Sequence, residues 1–310
     1  MRIHRNMAEI AEDQRGAVAA IGNFDGVHLG HRAVIERTQH IASGLAAPTA
    51  VVTFEPHPRV LFQPDARPFR LSSSDSRAEA LAGLGVDALF EVPFDADFAQ
   101  ITAEDFVSDI LISRLGLRHV VVGHDFHFGH RRRGNAEMLV EFSENLGFGV
   151  TRVEAVAEED GAVYSSSRVR QCLREGDPAG AAELLGRPWE IRALVETGDQ
   201  RGRTIGFPTA NLRLGPLLAP TKGVYAVRVR VDAEADWLSG VANFGRRPTV
   251  NDLGELLEVH LFGVDRDLYG RVLHVQFIDF IRPERKFSGL DELKAQIAED
   301  AARAVDILKR

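Results

Sequence analysis

IGNFDGVHLGH, Ile21 to His31, is the stretch on which the reading of this chain turns. An apolar run, Ala17–Ile21, ends in it, and a loop with three glycines follows. Two histidines three residues apart then lead into a helical pattern, HRAVIERTQHIASG. Gly22, Gly26 and Gly30 let backbone approach a ligand without a Cβ in the way. A helix that starts here offers N–H groups and the positive end of its dipole to an anion. Histidines at i and i+3 project from one helical face, and imidazole donates to phosphoryl oxygens. The stretch reads as a nucleotide-phosphate site. The same residues also fit a glycine-rich strand-to-helix turn with solvated histidines, and neither GxGxxG nor GxxxxGK[ST] occurs among them.

The HxGH arrangement resembles the signature of a nucleotidyltransferase superfamily, which transfers a nucleoside monophosphate from a triphosphate and releases pyrophosphate. Composition is compatible with that. Length suggests about two domains for 310 residues, and 45% apolar residues supply real cores. A net charge of −8 argues against a general nucleic-acid surface. No apolar run approaches the roughly 18 residues that a bilayer span needs, and MRIHRNMAEIAED lacks the apolar core of a signal peptide. Cys172 alone forms no internal disulfide and no multi-cysteine zinc site. A cytoplasmic enzyme is expected.

Outward from the opening stretch, strand and helix alternate to about residue 185. TAVVTFE (Thr49–Glu55) and HVVVG (His119–Gly123) are long enough apolar runs for buried parallel strands, and DALFEV and FGVTRVEAV continue the series. Helices are expected in SSDSRAEALAGLG, with Ser73 or Ser74 as cap, in NAEMLVEFSENLG, and in TAEDFVSDILISRLG. In the last of these Thr102 and Asp105 have capping-box spacing, and Phe106, Ile110 and Leu111 form one stripe. Such alternation predicts a parallel sheet covered by helices, with ligands at the carboxyl ends of strands. Three further stretches lie where that topology puts a site: TFEPHPR with His57, GHDFHFGHRRRGN, and YSSSRVR. In the second, Arg131, Arg132 and Arg133 read as a solvated basic loop or as cations for polyphosphate, and Phe126 and Phe128 as core packing or an aromatic edge. Ser165 reads as a helix cap, and Arg168 as a phosphate clamp.

A short helical stretch, roughly 171–187 and rich in alanine, glycine and proline, reads as a linker. Beyond it strands alternate strictly, as in VYAVRVRV, where Tyr225, Val227, Val229 and Val231 oppose Arg228 and Arg230. WLSGVANFG, LLEVHLFGV and VLHVQFIDFIR follow at short spacing, which predicts a small closed barrel or sandwich. A terminal helix is expected in SGLDELKAQIAEDAARAVDILKR. Ser288 and Asp291 have capping spacing there, and Leu293, Ile297, Ala301 and Val305 form an apolar stripe. Within GRTIGFPTANL, Thr209 and Asn211 fit either a tight turn before a strand or oxygen ligands for Mg²⁺ beside phosphate. Glu258 shares a strand face with His260, and is either solvent-facing or a proton acceptor for an attacking hydroxyl.

These segments together resemble the bacterial bifunctional riboflavin kinase/FAD synthetase family through nearly all of the chain. GxFDGxHxGH, TFEPHP, GxDFxFG and SSxRxR occur in order in the N-terminal half. GRTIGFPTANL, KGVYAV, NFGRRPT, LEVHLF, DLYG and IRPERKF follow in the C-terminal half. The resemblance implies an α/β fold. A Rossmann-like nucleotidyltransferase domain with a parallel sheet would span residues 1–185, and a riboflavin-kinase-like antiparallel β-barrel with a terminal helix residues 186–310. It implies phosphorylation of riboflavin by ATP with Mg²⁺, then adenylylation of FMN to FAD. By the same resemblance Glu258 activates the ribityl hydroxyl, and His28 and His31 stabilise phosphate charge. Gly22, Asn23, Phe24, Asp25, Asp125, Ser166, Ser167 and Arg168 bind ATP in one domain, and Gly206, Pro208, Thr209 and Asn211 in the other. Thr209 and Asn211 also hold the metal, and Phe62, Phe106, Phe128 and His57 contact flavin. The partners implied are small molecules only, with no nucleic acid and no membrane.

The chain departs from the family pattern at Ser167, where threonine is usual, at Gly263-Val264, where Asp-Phe is common, and at Arg32 in place of glutamine. Three rival readings use part of the same residues. A nucleotidyltransferase with another acceptor leaves the barrel without a purpose. A kinase with a scaffold domain leaves His28, His31 and Arg168 unused, and a flavin-storage protein needs neither the paired histidines nor Glu258.

Overall fold

Strands without polar alternation must be covered on both faces, and the N-terminal half shows how this is done. The structure is a computed structural model that describes residues 1–6, 10, 12, 15–157, 161–197, 207–246 and 255–309. It divides into two units, Met1–Ala66 with Ser74–Ser165, and Arg67–Ser73 with Ser166–Arg310.

In the first unit the elements run β1 (Arg2–His4), β2 (Val18–Ile21), α1 (Leu29–Gly44), β3 (Thr49–Glu55), α2 (Pro58–Phe62), α3 (Ser74–Gly83) and β4 (Ala88–Pro93). Next come α4 (Ala103–Asp105), β5 (His119–Gly123), a two-stranded ribbon of β6 (His127–Phe128) and β7 (Gly134–Asn135), α5 (Ala136–Leu146) and β8 (Gly149–Val153). The sheet order is β1-β4-β3-β2-β5-β8, and every pairing is parallel. Alternation within buried strands feeds two cores. Ile21, Val52, Phe54 and Phe90 join Phe106, Leu111 and Phe128 on one face, while Ala20, Val51 and Leu89 meet Ile35, Ala78 and Leu81 on the other.

Thr102 caps α4 as expected, accepting from the Asp105 N–H at 3.0 Å. The helix then widens, and Phe106–Arg114 is π-helical, with the Leu115 N–H on the Ile110 carbonyl at 2.9 Å. The wider turn buries Phe106, Val107, Ile110 and Leu111, one position more than the predicted stripe.

The second unit begins with α6 (Ser166–Glu175) and α7 (Pro178–Leu185) in the 171–187 stretch. Asp177 caps α7 by accepting from the Gly180 N–H at 2.8 Å. Then come β9 (Trp189–Glu196), β10 (Ala210–Leu212), β11 (Gly223–Val231), β12 (Leu238–Arg246), β13 (Glu255–Leu261), β14 (Val272–Pro283) and α8 (Leu290–Leu308). The strands close a six-stranded antiparallel barrel in the order β10-β13-β12-β11-β14-β9, so the barrel form of the prediction holds. Inside it, Phe277 packs against Trp189 and Tyr225 at ring separations of 4.9 and 5.0 Å. Residues 67–73 belong here too. The Leu71 carbonyl accepts from the Trp189 indole at 2.9 Å, and the Arg70 carbonyl from the Leu218 N–H at 2.8 Å.

The terminal helix forms where expected but is capped differently. Gly289, not Ser288, precedes it, and the Glu292 carboxylate reaches back to accept from the Ser288 N–H and hydroxyl at 2.8 and 2.7 Å. Its buried positions are Asp300, Ala304 and Leu308, turned from the predicted stripe, because Arg282 on β14 clamps Asp300 through two nitrogens at 2.9 and 2.7 Å. Asp300→Ala should therefore cost on the order of 3 kcal/mol, because it strands the partly buried Arg282 guanidinium. Trp189 and Trp237 both lie in this unit, so tryptophan fluorescence during denaturation is the readout. An unshifted midpoint would show that the pair does not hold the helix.

Candidate active sites

Because β2 lies between β3 and β5 and all three run parallel, their carboxyl ends open side by side. The Gly22 N–H still bonds to the Val52 carbonyl at 3.1 Å, and the chain then turns sharply. Phe24 and Val27 both adopt left-handed backbone, with φ of 48° and 47°, around Gly26 at 84°. The Phe24 ring is buried 5.0 Å from the His31 ring. A Cβ on Gly30 would come within 3.1 Å of the His28 ring and 3.2 Å of Tyr164, so a side chain there would press on the His28 ring.

His28 is buried and is itself the cap of α1: its Nδ1 accepts from the His31 N–H at 3.3 Å. A neutral imidazole bonded in this way carries its proton on Nε2, which makes that nitrogen the donor. The two imidazoles stack with centroids 3.6 Å apart. Gly22, Asn23, Phe24, Asp25, His28 and His31 thus gather in one turn, with Asp25 buried and the Asn23 side chain exposed.

Asp125 is exposed in the turn after β5. At the end of β3, His57 caps α2, its Nδ1 accepting from the Arg59 N–H at 3.1 Å. The three phenylalanines expected at flavin sit in different surroundings: Phe106 and Phe128 are buried, whereas Phe62 is 65% exposed. Rings that the sequence reading did not single out connect them. Phe128 lies 5.3 Å from Phe106, Phe106 is 6.3 Å from Phe98, Phe98 is 5.5 Å from Phe94, and Phe94 is 5.9 Å from Phe62. The FDADF spacing of Phe94 and Phe98 directly after β4 was the available signal. Ser166, Ser167 and Arg168 open α6 and fall in the second unit. Cys172, further along α6, has its thiol pushed up by burial and by Asp177, which disfavours the reactive thiolate.

On the barrel, pairing register assembles the other constellation. Asn211 on β10 stands opposite Glu258 on β13 and Glu196 on β9, and Glu258 stands opposite Asn243 on β12. These four share one face, while Leu212, Leu257 and Phe244 fill the other. Thr209 lies two residues before Asn211, directly ahead of β10. Asn211 is 6% exposed, and its Oδ1 is buried without a hydrogen-bond partner among the described residues. A buried oxygen in that state, next to a carboxylate and a hydroxyl, suits a hard cation. His260, also on this face, donates from Nδ1 to the Pro208 carbonyl at 2.8 Å and packs 5.5 Å from the Phe207 ring, fixing the entry to β10. Gly206 lies outside the described residues.

Both halves of the chain are similar to known proteins. A family model described as FAD synthetase matches residues 10–168, and one described as riboflavin kinase matches residues 185–308. The bifunctional riboflavin kinase/FMN adenylyltransferase of Escherichia coli (strain K12) is 44% identical over 305 residues, covering 98% of this chain and 97% of that protein. The chain belongs to the bifunctional riboflavin kinase/FMN adenylyltransferase family. The family's Bacillus subtilis (strain 168) member is 37% identical over 301 residues, covering 96% and 94%. A crystal structure named as a macrolide-efflux protein from Streptococcus pneumoniae is also similar, with 31% identity, 96% coverage of each chain and a TM-score of 0.84. Among the described residues here, no helix is long and apolar enough to cross a membrane.

The orphaned Asn211 oxygen has a consequence for stability. Asn211→Leu keeps the shape but removes an unmet polar group, and should raise the stability of the ligand-free protein by about 1 kcal/mol. A fall in its thermal midpoint would mean that the oxygen is already satisfied.

Proposed function

We propose that this chain makes FMN and FAD with two separate sets of residues, one within residues 186–310 and one within residues 1–185. The observation that carries the reading is the pairing of Asn211 with Glu258 on the barrel, in a chain whose other unit holds His28 and His31 at a helix start. The kinase domain is taken as residues 186–310 and the adenylyltransferase domain as residues 1–185.

In the kinase step, the terminal ribityl hydroxyl of riboflavin attacks the γ-phosphorus of ATP, and ADP leaves. Glu258 takes the hydroxyl proton, and Asn211 and Thr209 would hold a Mg²⁺ ion beside the triphosphate. When bound, that ion neutralises charge building on the transferred phosphoryl group. Pro208 lies beside the nucleotide, and Gly206 is assigned there by the resemblance of GRTIGFPTANL alone.

In the second step an FMN phosphate oxygen attacks the α-phosphorus of another ATP, and pyrophosphate leaves. No proton needs to be removed from so acidic a nucleophile, so this site requires charge stabilisation more than a base. His28 supplies it from Nε2, with His31 beside it and the first amides of α1 behind. Asn23, Asp25, Asp125 and the Ser166–Arg168 turn contribute to nucleotide binding. Phe62, Phe106, Phe128 and His57 border the isoalloxazine. The reaction is placed in the cytoplasm, where ATP is abundant, on small-molecule substrates alone.

The purified chain incubated with riboflavin, ATP and Mg²⁺ should release FMN first and FAD with pyrophosphate later, as followed by chromatography. Riboflavin that binds without conversion would refute the enzymatic reading. His28→Ala should lower FAD formation by about 100-fold or more and leave FMN formation intact. Glu258→Gln should do the opposite, lowering FMN formation by about 100-fold or more. Equal loss of both products in either variant would rule out two independent sites. Chelation of divalent metal should stop FMN formation, and added Mg²⁺ should restore it. FMN synthesis that persists in excess chelator would remove the metal from the role given to Asn211 and Thr209.

A further inference from the structure

The turn that presents His28 is not held by its own sequence. Phe24 and Val27 are both non-glycine residues in left-handed backbone, and for a β-branched valine that conformation is a true outlier. Such residues cost about 1–3 kcal/mol each and persist only where the surroundings fix them. What fixes this turn is a buried cation. Arg77 on α3 is 0% exposed, and one guanidinium nitrogen reaches the Asn23 carbonyl at 3.4 Å. The Thr53 hydroxyl, on β3 and also fully buried, donates to the same carbonyl at 3.2 Å. The Asn23 side chain is exposed, so its backbone is anchored while its amide faces outward.

Arg77 is itself held in place. Its second terminal nitrogen bonds to Glu55 at 2.9 Å and to Glu91 at 2.8 Å. Glu91 also accepts from Ser74 and from the Arg5 guanidinium at 3.1 Å. Burial alone would raise the Glu91 carboxyl, but the hydrogen bonds from Ser74 and Arg77 and the Arg77 charge outweigh it and leave Glu91 below its ordinary value. The carboxylate therefore stays charged at neutral pH and keeps the guanidinium in one orientation. Two elements, β3 and α3, reach the Asn23 carbonyl directly, and Glu91 on β4 and Arg5 just after β1 bear on it through Arg77.

We propose that Arg77 is a positioning residue for adenylyl transfer: with Thr53 it pins the Asn23 carbonyl, and so holds the strained Phe24–Val27 turn that sets His28 against the nucleotide phosphates. The proposal rests on the adenylyltransferase reading of this unit. Arg77 touches neither substrate nor the reacting atoms. Its contribution is geometric, and a displacement of about 1 Å at such a site costs up to roughly 100-fold in rate.

Arg77→Lys is the discriminating variant, because an ammonium can still pair with Glu55 and Glu91 but has no second arm for the Asn23 carbonyl. Thr53→Val removes the other anchor without touching any charge. Each variant should form FMN at the wild-type rate, because the kinase residues lie in the other unit. For FAD formation, kcat should fall about 10–100-fold with KM for ATP and FMN within about twofold. Amide hydrogen exchange over Gly22–Val27 should speed up by about tenfold in both variants, while exchange in β3 and α1 stays unchanged. An unchanged kcat in either variant would overturn the proposal. So would a loss that disappears once activity is corrected for the folded fraction. If the wild type makes no FAD at all, the adenylyltransferase reading fails and the exchange measurement decides alone: unaltered exchange over Gly22–Val27 then overturns the anchoring itself.

Discussion

The burial of β2 on both faces, between two parallel neighbours, is the constraint from which the first unit follows. A strand with no polar position has nowhere to expose a side chain, so helices must cover the sheet on each side. Once β3 and β5 run parallel to it, three carboxyl ends open together, and polar chemistry collects there because the strands themselves exclude it. The turn after β2 inherits its position from the sheet, but its shape comes from further away. Two left-handed residues and a histidine cap need bonds from β3 and α3, elements whose sequences say nothing about phosphate.

The barrel meets the same requirement by another route. Its strands alternate, so every second side chain faces outward, and antiparallel register then decides which of these become neighbours. Glu196, Asn211, Glu258 and Asn243 come from four strands spread between residues 196 and 258, yet form one row because the barrel closes between β9 and β10. The Pro208 carbonyl held by His260 sets where that row begins. An asparagine whose buried oxygen has no partner among the described residues is a stability cost, one that a bound cation would offset.

Local patterns carried much of this. Apolar runs located the parallel strands, period-two alternation located the barrel, and the HxGH spacing placed both histidines on one helix start. What was not legible depended on partners distant in sequence. Arg77 reads as an ordinary helix-surface arginine in SSDSRAEALAG, and its burial is set by Glu55 and Glu91, which no local period connects to it. The terminal helix was assigned the wrong buried stripe because Asp300 looks solvent-facing until Arg282 is known to lie opposite. The apolar stripe made Phe106 legible as core, and Phe128 fitted core packing, whereas the link from the exposed Phe62 to them through Phe94 with Phe98 and Phe54 depends on rings distant in sequence. Register also escapes a one-strand view: Glu196 gains its place beside Asn211 from a pairing that only closure creates.

The segment at residues 67–73 has a bearing on how the chain is made. It lies in the first half of the sequence, but its carbonyls accept from Trp189 and Leu218 of the barrel, the former 118 positions later. On a ribosome adding roughly 5–20 residues per second, that strip emerges on the order of ten seconds before its first barrel partner exists. The sheet around it can close in the meantime, because the strip is a loop between α2 and α3 and contributes no strand to that sheet. The N-terminal half is thus able to mature first while keeping one edge of the later-built barrel in waiting.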